Sequence, residues 1–373
     1  MSRKVEAFIS EKLNDQHHSG LYRRLTAFNE DLVDFSSNDY LGLARSKGLA
    51  LAIANRQPAF PRLNGSTGSR LLTGNDFFSE EVETMLARIF SAETALVFNS
   101  GYTANLAILS SLPHRGDTII YDELAHASIK DGARLSLAKR YSFKHNDLND
   151  LERKIRNASG RVYIVVESIY SMDGDVCPLE ELVKIAEHND ACIILDEAHS
   201  TGVMGTGGAG MAVDSKLSQR IPIRIYTFGK AMGVHGACIA GSARLREYLI
   251  NFARPFIYTT APDYHTLASI ACAFDFLRAN IELQGMLQEK IQVFENEMRT
   301  HREVRVMPGA IQTVHIPGPE HVRQRAMELR NQGFDVRPIV SPTVPTGKER
   351  LRICLHTFNS VDEIKALCNL LKT

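Results

Sequence analysis

Two apolar runs of the sequence lead directly into residues that can do chemistry. Cys192-Ile-Ile-Leu195 continues into Asp196-Glu-Ala-His199, and Ile223-Arg-Ile-Tyr226 continues into Thr227-Phe-Gly-Lys230. Because ligands of an open α/β sheet lie at the carboxyl ends of its strands, this order predicts a carboxylate, an imidazole and an amine at one sheet edge. A carboxylate in a partly dry cleft needs a cationic partner, and a lysine there loses its proton more easily than in water.

These tendencies favour pyridoxal 5'-phosphate (PLP) as the cofactor. Asp196 would keep the pyridine nitrogen protonated, which makes the ring an electron sink, while the neutral amine of Lys230 would join the aldehyde as a Schiff base. His199 would hydrogen-bond the phenolic oxygen of the cofactor.

The phosphate of such a cofactor needs a site of its own. Asn99-Ser-Gly-Tyr-Thr103 follows the apolar run Ala95-Leu-Val-Phe98 and opens the next helical segment. Backbone N–H groups of Gly101 and Tyr102 would point at a dianion there, and the glycine allows close approach.

The elements that must position these residues are visible as short apolar, β-branched runs separated by amphipathic segments of helix length. Continuous apolar strands indicate a sheet that is buried on both faces, with the helices as crossovers. The centre is therefore predicted to be α/β. The predicted strands are Ala95–Phe98, Thr118–Tyr121, Val162–Val166, Cys192–Leu195, Ile223–Tyr226 and Ala237–Ala240.

The two ends of the chain have different patterns. Apolar residues at helical spacing (Val5, Phe8, Ile9 and Leu13) predict an N-terminal amphipathic helix that ends near Gly20 and packs on the main body. After Pro262 a helical stretch runs to about Arg302. Strand and helix patterns then predict a smaller α+β unit. Its predicted elements are Gln312–Ile316, Val322–Gln332, Arg350–Leu355 and Val361–Leu371.

Composition excludes several classes of protein. Lys plus Arg and Asp plus Glu each total 43, so no net charge attracts nucleic acid or an anionic membrane. The six cysteines contain no CxxC pair, which argues against a zinc ribbon or a disulfide framework. The start lacks the apolar stretch of a signal peptide, and no run approaches the roughly 18 apolar residues of a membrane span. We therefore expect a soluble cytoplasmic protein without a metal site.

Two motifs suggest other functions and are set aside. Asp196-Glu-Ala-His199 spells a helicase box, but no GxxxxGK[ST] phosphate loop precedes it. Gly205-Thr-Gly-Gly-Ala-Gly210 matches the dinucleotide pattern GxGxxG, yet it does not directly follow a strand, and the residue ~20 positions beyond it is Lys230 rather than an acid. A flexible glycine loop is the better interpretation.

Segments spread over most of the chain match the pattern of a known family: Ser37–Leu43, Gly65–Arg70, Ser100–Tyr102, His126–Ser128, Glu167–Gly174, Asp196–Gly202 and Thr227–Lys230. On these segments the chain resembles the α-oxoamine synthases, a fold-type I group of PLP enzymes. The likeness implies a PLP-dependent transferase with a mostly parallel central sheet, helices on both faces and a smaller α+β domain formed from the chain ends. The implied domains are an N-terminal helix and arm (1–45), a PLP-binding α/β domain (46–262) and a linking helix with the small C-terminal domain (263–373).

Within that family the resemblance implies roles for further residues. His126 would stack on the pyridine ring and help to position substrate, and Ser171 would lie with His199 near the phenolic oxygen. Thr227 would hold the cofactor on the same chain. The family places its site at a dimer interface, so Thr259 and Thr260 would reach the phosphate of the neighbouring subunit of a homodimer.

The substrate residues are also implied by the resemblance. Asn38 and Arg352 match positions that fix the carboxylate of the amino acid, a bidentate task that suits a guanidinium. Thr343 and Arg23 match positions near the acyl group, although Arg23 is equally consistent with an ordinary surface arginine. Three departures from the family pattern, at Thr67, His235 and Ala261–Tyr264, bear on substrate preference and not on the cofactor.

The implied activity is a decarboxylative condensation of an amino acid with an acyl thioester on CoA or an acyl-carrier protein. Softer segments favour the member of the family that joins L-alanine to a pimeloyl group in biotin biosynthesis. An alternative is a sister enzyme that uses glycine and acetyl-CoA, and another is a catalytically silent binding protein. The favouring segments are His145–Asp147, Gly233–Ala237, Arg254–Thr260 and Pro342–Gly347.

Overall fold

A computed structural model describes residues 1–25, 27, 29–56, 64–301 and 303–372. The described chain divides into two compact units. The large unit comprises Asn38–Ser171 and Asp175–Met286, and the small unit comprises Met1–Ser37, Met172–Gly174 and Leu287–Thr373. No helix in the described ranges has the length and the hydropathy that a bilayer crossing requires.

The strands in chain order are β1 (Val33–Asp34), β2 (Thr94–Phe98), β3 (Thr118–Asp122), β4 (Lys139–Phe143), β5 (Val162–Glu167), β6 (Cys192–Asp196), β7 (Ile223–Thr227), β8 (Ala237–Gly241), β9 (Val304–Arg305), β10 (Ile311–His315), β11 (Phe334–Asp335), β12 (Arg337–Ile339) and β13 (Arg350–Cys354). The helices are α1 (Arg3–His18), α2 (Lys47–Asn55), α3 (Phe77–Ile89), α4 (Gly101–Ser111), α5 (Ala127–Leu135), α6 (Leu148–Arg156), α7 (Leu179–His188), α8 (Met211–Asp214), α9 (Ala243–Phe252), α10 (Arg254–Ile257), α11 (Tyr264–Ala279), α12 (Glu282–Met298), α13 (Pro319–Asn331) and α14 (Val361–Leu371).

The large unit contains a seven-stranded sheet in the order β2-β8-β7-β6-β5-β3-β4. The pairs from β7 to β4 are parallel, whereas β8 runs antiparallel to both of its neighbours. The strands β2, β5, β6 and β7 therefore all end at the same edge. The mostly parallel central sheet predicted from the sequence is confirmed.

Both faces of this sheet are buried, which explains the continuous apolar runs. Val165 and Ile194 pack with Ile108 of α4 and Ile129 of α5 in one hydrophobic cluster. Their sequence neighbours Val166 and Leu195 lie in a second cluster with Leu182 and Val183 of α7. Because successive side chains of a strand point to opposite faces, each apolar run supplies both layers.

The small unit contains a four-stranded antiparallel sheet in the order β12-β13-β10-β9 and a separate parallel pair of β1 with β11. The predicted elements of the C-terminal region are confirmed. Helix α1 is also confirmed, but none of its residues is buried, and Phe8 is 58% exposed. The apolar side chains of this helix are therefore at least partly exposed in the single chain, and its packing on the main body stays a prediction.

The other sequence predictions differ from the structure in detail. All six predicted strands of the central sheet are found, each extended by one residue, and β4 was missed. The predicted helical stretch after Pro262 is two helices, α11 and α12, because α11 ends at Ala279 with Asn280 as its C-cap. Arg302, the predicted end of that stretch, lies outside the described residues. The domain boundaries near residues 45 and 262 stay a prediction.

Candidate active site

A cavity of about 280 Å³ opens in the large unit at the edge where β2, β5, β6 and β7 end. Residues that follow strands or begin helices form much of its wall, as expected for an α/β sheet. The lining residues are Asn38, Asn99, Ser100, Gly101, Tyr102, Asn105, His126, Ser128, Glu167, Asp196, Ala198, Thr227, Gly229, Lys230, His235 and Gly236.

Asp196 ends β6 and is buried at the wall of this cavity. Its Oδ2 accepts a hydrogen bond from Asn105 Nδ2 at 2.7 Å, and its Oδ1 accepts one from the Ala198 backbone N–H at 2.9 Å. Asn105 belongs to α4 and also donates to Ser128 Oγ at 3.1 Å. The carboxylate is therefore held in a fixed orientation beside the cavity.

Lys230 lies in the turn after β7, and a chain of polar contacts fixes its amine. Its Nζ lies 2.9 Å from His199 Nε2, and His199 Nδ1 lies 2.8 Å from the Tyr40 hydroxyl, which donates to Asn38 Oδ1 at 3.0 Å. Because the one hydroxyl proton of Tyr40 goes to Asn38, Nδ1 of His199 donates and Nε2 accepts from the amine. A side chain predicted to touch the cofactor thus also orients the lysine.

The start of α4 forms a pocket suited to an anion. Ser100 caps the helix by accepting from the Thr103 N–H at 3.2 Å, so the first N–H groups of the helix face outward. A Cβ on Gly101 would lie 2.3 Å from Thr227 Cγ2, so only glycine fits against β7 here. Helix N-termini of this kind bind phosphate groups.

His126 both caps α5 and lines the cavity. Its Nδ1 accepts from the Ser128 N–H at 3.2 Å, and its own N–H donates to Glu167 Oε1 at 2.5 Å. Burial is the largest influence and lowers the pKa of His126, against the opposing charge of Asp196. A neutral imidazole whose Nδ1 accepts carries its proton on Nε2, where it can serve as a donor.

Three cavity or near-cavity residues had no role in the sequence interpretation. Burial, together with the neighbouring Asp196 charge, raises the pKa of Glu167, which ends β5 in register with Asp196 on β6. A polar residue after a buried strand was the signal that found Asp196, and the same signal could have found Glu167. Asn105 reaches the site from α4, and Tyr40 reaches it from the start of the large unit. Neither residue directly follows a buried strand, so the sequence gives no signal of this kind for them.

Seven of the predicted site residues line this cavity, and His199 contacts one of them. Ser171 is buried in the loop after β5, and Thr259 Oγ1 and the Thr260 carbonyl accept hydrogen bonds from Asn99 at 3.4 and 3.0 Å. These three residues belong to the large unit but lie outside the cavity lining. The seven lining residues are Asn38, Gly101, Tyr102, His126, Asp196, Thr227 and Lys230.

The remaining predicted substrate residues belong to the small unit. Arg352 is buried on β13 and its Nη1 lies 3.0 Å from Cys354 Sγ. Arg23 and Thr343 are exposed. Their roles stay predictions.

The cavity fits PLP by the chemistry of its groups. Two buried polar atoms at its wall, Thr227 Oγ1 and Asn105 Oδ1, have no hydrogen-bond partner among the described residues. Buried polar groups normally have partners, so such atoms indicate that a ligand supplies them. An amine, a fixed carboxylate and a helix N-terminus match the aldehyde, the ring nitrogen and the phosphate of the cofactor. Among the described residues, no cluster of His, Cys, Asp and Glu side chains is arranged to hold a metal ion.

The fold and this cavity define a fold-type I PLP-dependent transferase. The profile of the family described as aminotransferase class I and II matches residues 30–370, and the chain belongs to that family.

Individual relatives narrow the class. The chain is 39% identical to an 8-amino-7-oxononanoate synthase of Emericella nidulans, in an alignment that covers 98% of this chain and 94% of the relative. A solved 8-amino-7-oxononanoate synthase from Francisella tularensis superposes with a TM-score of 0.77 at 29% identity, covering 92% of this chain and 98% of that one. A solved serine palmitoyltransferase with PLP has a TM-score of 0.88 at 25% identity, covering 99% of this chain and 96% of that one.

Proposed function

We propose that this chain is a PLP-dependent acyltransferase that condenses L-alanine with a pimeloyl thioester. The products are 8-amino-7-oxononanoate, carbon dioxide and the free thiol, in the pathway to biotin. The observation that carries the proposal is the arrangement at the ends of β6 and β7, where Asp196 is fixed by Asn105 and Ala198 and the Lys230 amine is fixed by His199.

The cofactor would be held by groups that the cavity already orients. Lys230 would bind it covalently, and Asp196 would pair with the ring nitrogen. The N–H groups of Gly101 and Tyr102 and the hydroxyl of Thr227 would bind the phosphate, while His126 would stack on the ring. His199 and Ser171 would lie near the phenolic oxygen.

When bound, PLP withdraws electrons from the α-carbon of an amino acid, which makes both its proton and its carboxylate easier to lose. Asp196 supports this by stabilising a proton on the ring nitrogen. Lys230 Nζ would take the α-proton of L-alanine and return a proton at the end of the reaction. His126 would donate from Nε2 to the carbonyl of the thioester.

The substrate residues of the proposal come from the family resemblance. Asn38 and Arg352 would bind the alanine carboxylate, and Thr343 and Arg23 would lie near the acyl chain. Support for Asn38 comes from its place in the cavity wall and from its hydrogen bond with Tyr40, which links it to the lysine through His199.

The choice of substrate is supported by the relatives. Two relatives at 39% and 36% identity are named 8-amino-7-oxononanoate synthase, the second as putative, and the solved structure at 29% identity has the same name, so a sister enzyme that uses glycine and acetyl-CoA is not favoured. A silent binding protein is also disfavoured, because Lys230, Asp196 and His199 all keep the orientation that chemistry needs.

We further propose a cytoplasmic homodimer with shared active sites, in which Thr259 and Thr260 reach the phosphate of the partner subunit. Exposed apolar side chains support association, since Leu72 is 80% exposed, Phe77 88% and Tyr258 72%. Light scattering of the purified protein tests the oligomer directly.

The proposed reaction is tested by a matrix of substrates on purified protein loaded with PLP. L-Alanine, glycine and L-serine are each combined with pimeloyl-CoA, a pimeloyl carrier protein and acetyl-CoA, and thiol release is measured. We expect thiol release with L-alanine and one or both pimeloyl thioesters, and background rates with glycine and acetyl-CoA. Faster release from the glycine and acetyl-CoA pair would assign the chain to the sister activity.

A further inference from the structure

The ring of His145 lies between two buried carboxylates in the large unit. Its Nδ1 is 2.9 Å from Asp122 Oδ1, and its Nε2 hydrogen-bonds Asp175 Oδ2. A carboxylate oxygen only accepts, so both ring nitrogens must donate, and only the imidazolium form has two N–H groups. The geometry therefore places a cation between two anions.

Backbone and amide donors surround this triad. The N–H of Asn146 donates to Asp122 Oδ2 at 3.0 Å, and its side-chain Nδ2 donates to Asp175 Oδ2 at 3.0 Å and to the Val176 carbonyl at 3.2 Å. The N–H of Leu124 donates to Asp122 Oδ1 at 2.8 Å. These donors offset part of the cost of burying two carboxylates and tie three chain segments to one point.

One of these segments leads to His126. Asp122 is the last residue of β3, and its backbone carbonyl accepts from the Ala125 N–H at 2.9 Å. Asp122 therefore holds the turn to Ala125 with two groups: its carboxylate accepts from the Leu124 N–H, and its backbone carbonyl accepts from the Ala125 N–H. The next residue is the one that caps α5 and faces the cavity.

The other segment is the loop after β5. Ile169 and Val176 form an antiparallel bridge, and the Tyr170 N–H donates to the Asp175 carbonyl at 2.9 Å. The Tyr170 ring packs edge-on against His145, with ring centroids 4.5 Å apart and planes at 88°. His145 thus contacts Tyr170 and Asp175, the two residues that flank the stretch 171–174, and Ser171 belongs to that stretch.

We propose that His145 is a positioning residue that locks the loop bearing His126 and the loop bearing Ser171 into one arrangement around the cofactor. This rests on the proposed function, which gives those two side chains their roles. His145 itself lies outside the cavity lining and touches no reacting atom.

His145 is protonated at neutral pH in the folded protein. Burial opposes protonation, but the hydrogen bonds to Asp122 and Asp175 outweigh it and raise the pKa of His145 to about 9. The titratable groups that face it are Asp122, Asp175, Tyr170 and Glu123, whose Oε1 accepts from the His145 N–H. Since the folded pKa exceeds the ordinary value, the stabilisation is complete below about pH 6.5 and is lost as pH rises through 9.

The test compares His145→Gln with the wild-type holoenzyme and with His188→Gln, which changes an exposed histidine on α7. Glutamine cannot donate on two sides as an imidazolium does. We expect the PLP concentration for half-saturation to rise on the order of tenfold or more, and the visible circular dichroism of bound PLP to weaken at saturation. The visible absorption itself should remain, because Lys230 is intact, and His188→Gln should match wild type.

Two results would overturn the proposal. Unchanged half-saturation and dichroism in His145→Gln, with only a lower melting temperature, would leave His145 a purely structural role. Should that variant not fold, Asp175→Asn tests the same idea, because losing one anion lowers the pKa of His145. In wild-type holoenzyme the visible dichroism should weaken as pH rises through about 9, where His145 loses its charge. In Asp175→Asn this loss must move to lower pH, and an unmoved midpoint contradicts the proposal. Failure of the proposed function is distinguishable, because wild-type protein would then show no visible band or would release thiol with a different pair of substrates.

Discussion

Asp196 and Glu197 are adjacent buried carboxylates at the end of β6, yet Asp196 lines the candidate active site and Glu197 stabilises the loop that follows. Asp196 faces the cavity together with Lys230, His126 and Asn105, whose amide oxygen has no hydrogen-bond partner in the part of the chain that the structure describes. Glu197 anchors the glycine loop that follows: its oxygens accept from Ser200 Oγ and from the N–H groups of Met211 and Ala212, each N–H at 2.8 Å.

Hydrogen bonds and close packing hold the glycine loop that contains the GxGxxG pattern. Gln284 Nε2 donates to the Gly205 carbonyl at the start of this loop and to the Gly202 and Val203 carbonyls just before it, at 3.0 to 3.2 Å. A Cβ on Gly208 would lie 2.6 Å from the Gly202 Cα, and the φ of Gly208 is +78°. Gly208 is therefore tightly packed, and the flexibility expected of this loop stays a prediction. A buried polar atom that lines a cavity and has no partner among the described residues, such as Asn105 Oδ1, indicates a ligand more directly than a glycine motif does.

The largest effect is expected for Lys230→Ala. Without the amine, the protein loses its covalent link to PLP and its proton-transfer group, so we expect the visible cofactor band to vanish and turnover to fall at least about 10³-fold. Lys184→Ala, on the exposed face of α7, is the matched control. A variant that keeps both the band and full turnover contradicts the assignment of the cavity.

Asp196→Asn should have the next largest effect. The amide keeps the shape but cannot stabilise a proton on the ring nitrogen, so we expect PLP to bind while turnover falls about 100-fold. Steady-state thiol release at saturating PLP measures this. Turnover at the wild-type level would mean that the carboxylate beside the cavity is no more functional than its neighbour.

Gly101→Ala should weaken PLP binding by about tenfold, because its Cβ meets Thr227 Cγ2 where the phosphate would bind. Titration of the visible band with PLP measures the affinity. Combining it with Thr227→Ser, which removes that methyl group and keeps the hydroxyl, should restore much of the loss. Equal affinity in the single variant and wild type would move the phosphate elsewhere.

Glu197→Gln should have the smallest effect on chemistry. It turns one acceptor into a donor that faces buried N–H or O–H groups, so we expect unfolding free energy to fall by about 1–3 kcal/mol while turnover per bound PLP stays within about twofold. Denaturant melts and thiol release on the same preparation separate the two quantities. A selective loss of turnover would erase the contrast with Asp196.

The sequence predicts the residues that carry the chemistry better than the residues that hold them in position. Apolar runs predicted six strands of the central sheet because burial on both faces leaves a continuous signal. The edge strand β4 (Lys139–Phe143) was missed since four of its five residues are exposed and its sequence looks polar. Asp196 and Lys230 were found as strand-end residues. Asn105, 91 positions from Asp196, and Tyr40, 159 positions from His199, meet their partners only through the tertiary fold.

The central claim is a covalent bond between Lys230 and PLP, and peptide mass spectrometry after borohydride reduction tests it most directly. The reduced, digested holoenzyme should carry the cofactor mass on the peptide that contains Lys230, and Lys230→Ala should carry none. Cofactor mass on a different lysine, or on no peptide of a PLP-saturated sample, would contradict the account.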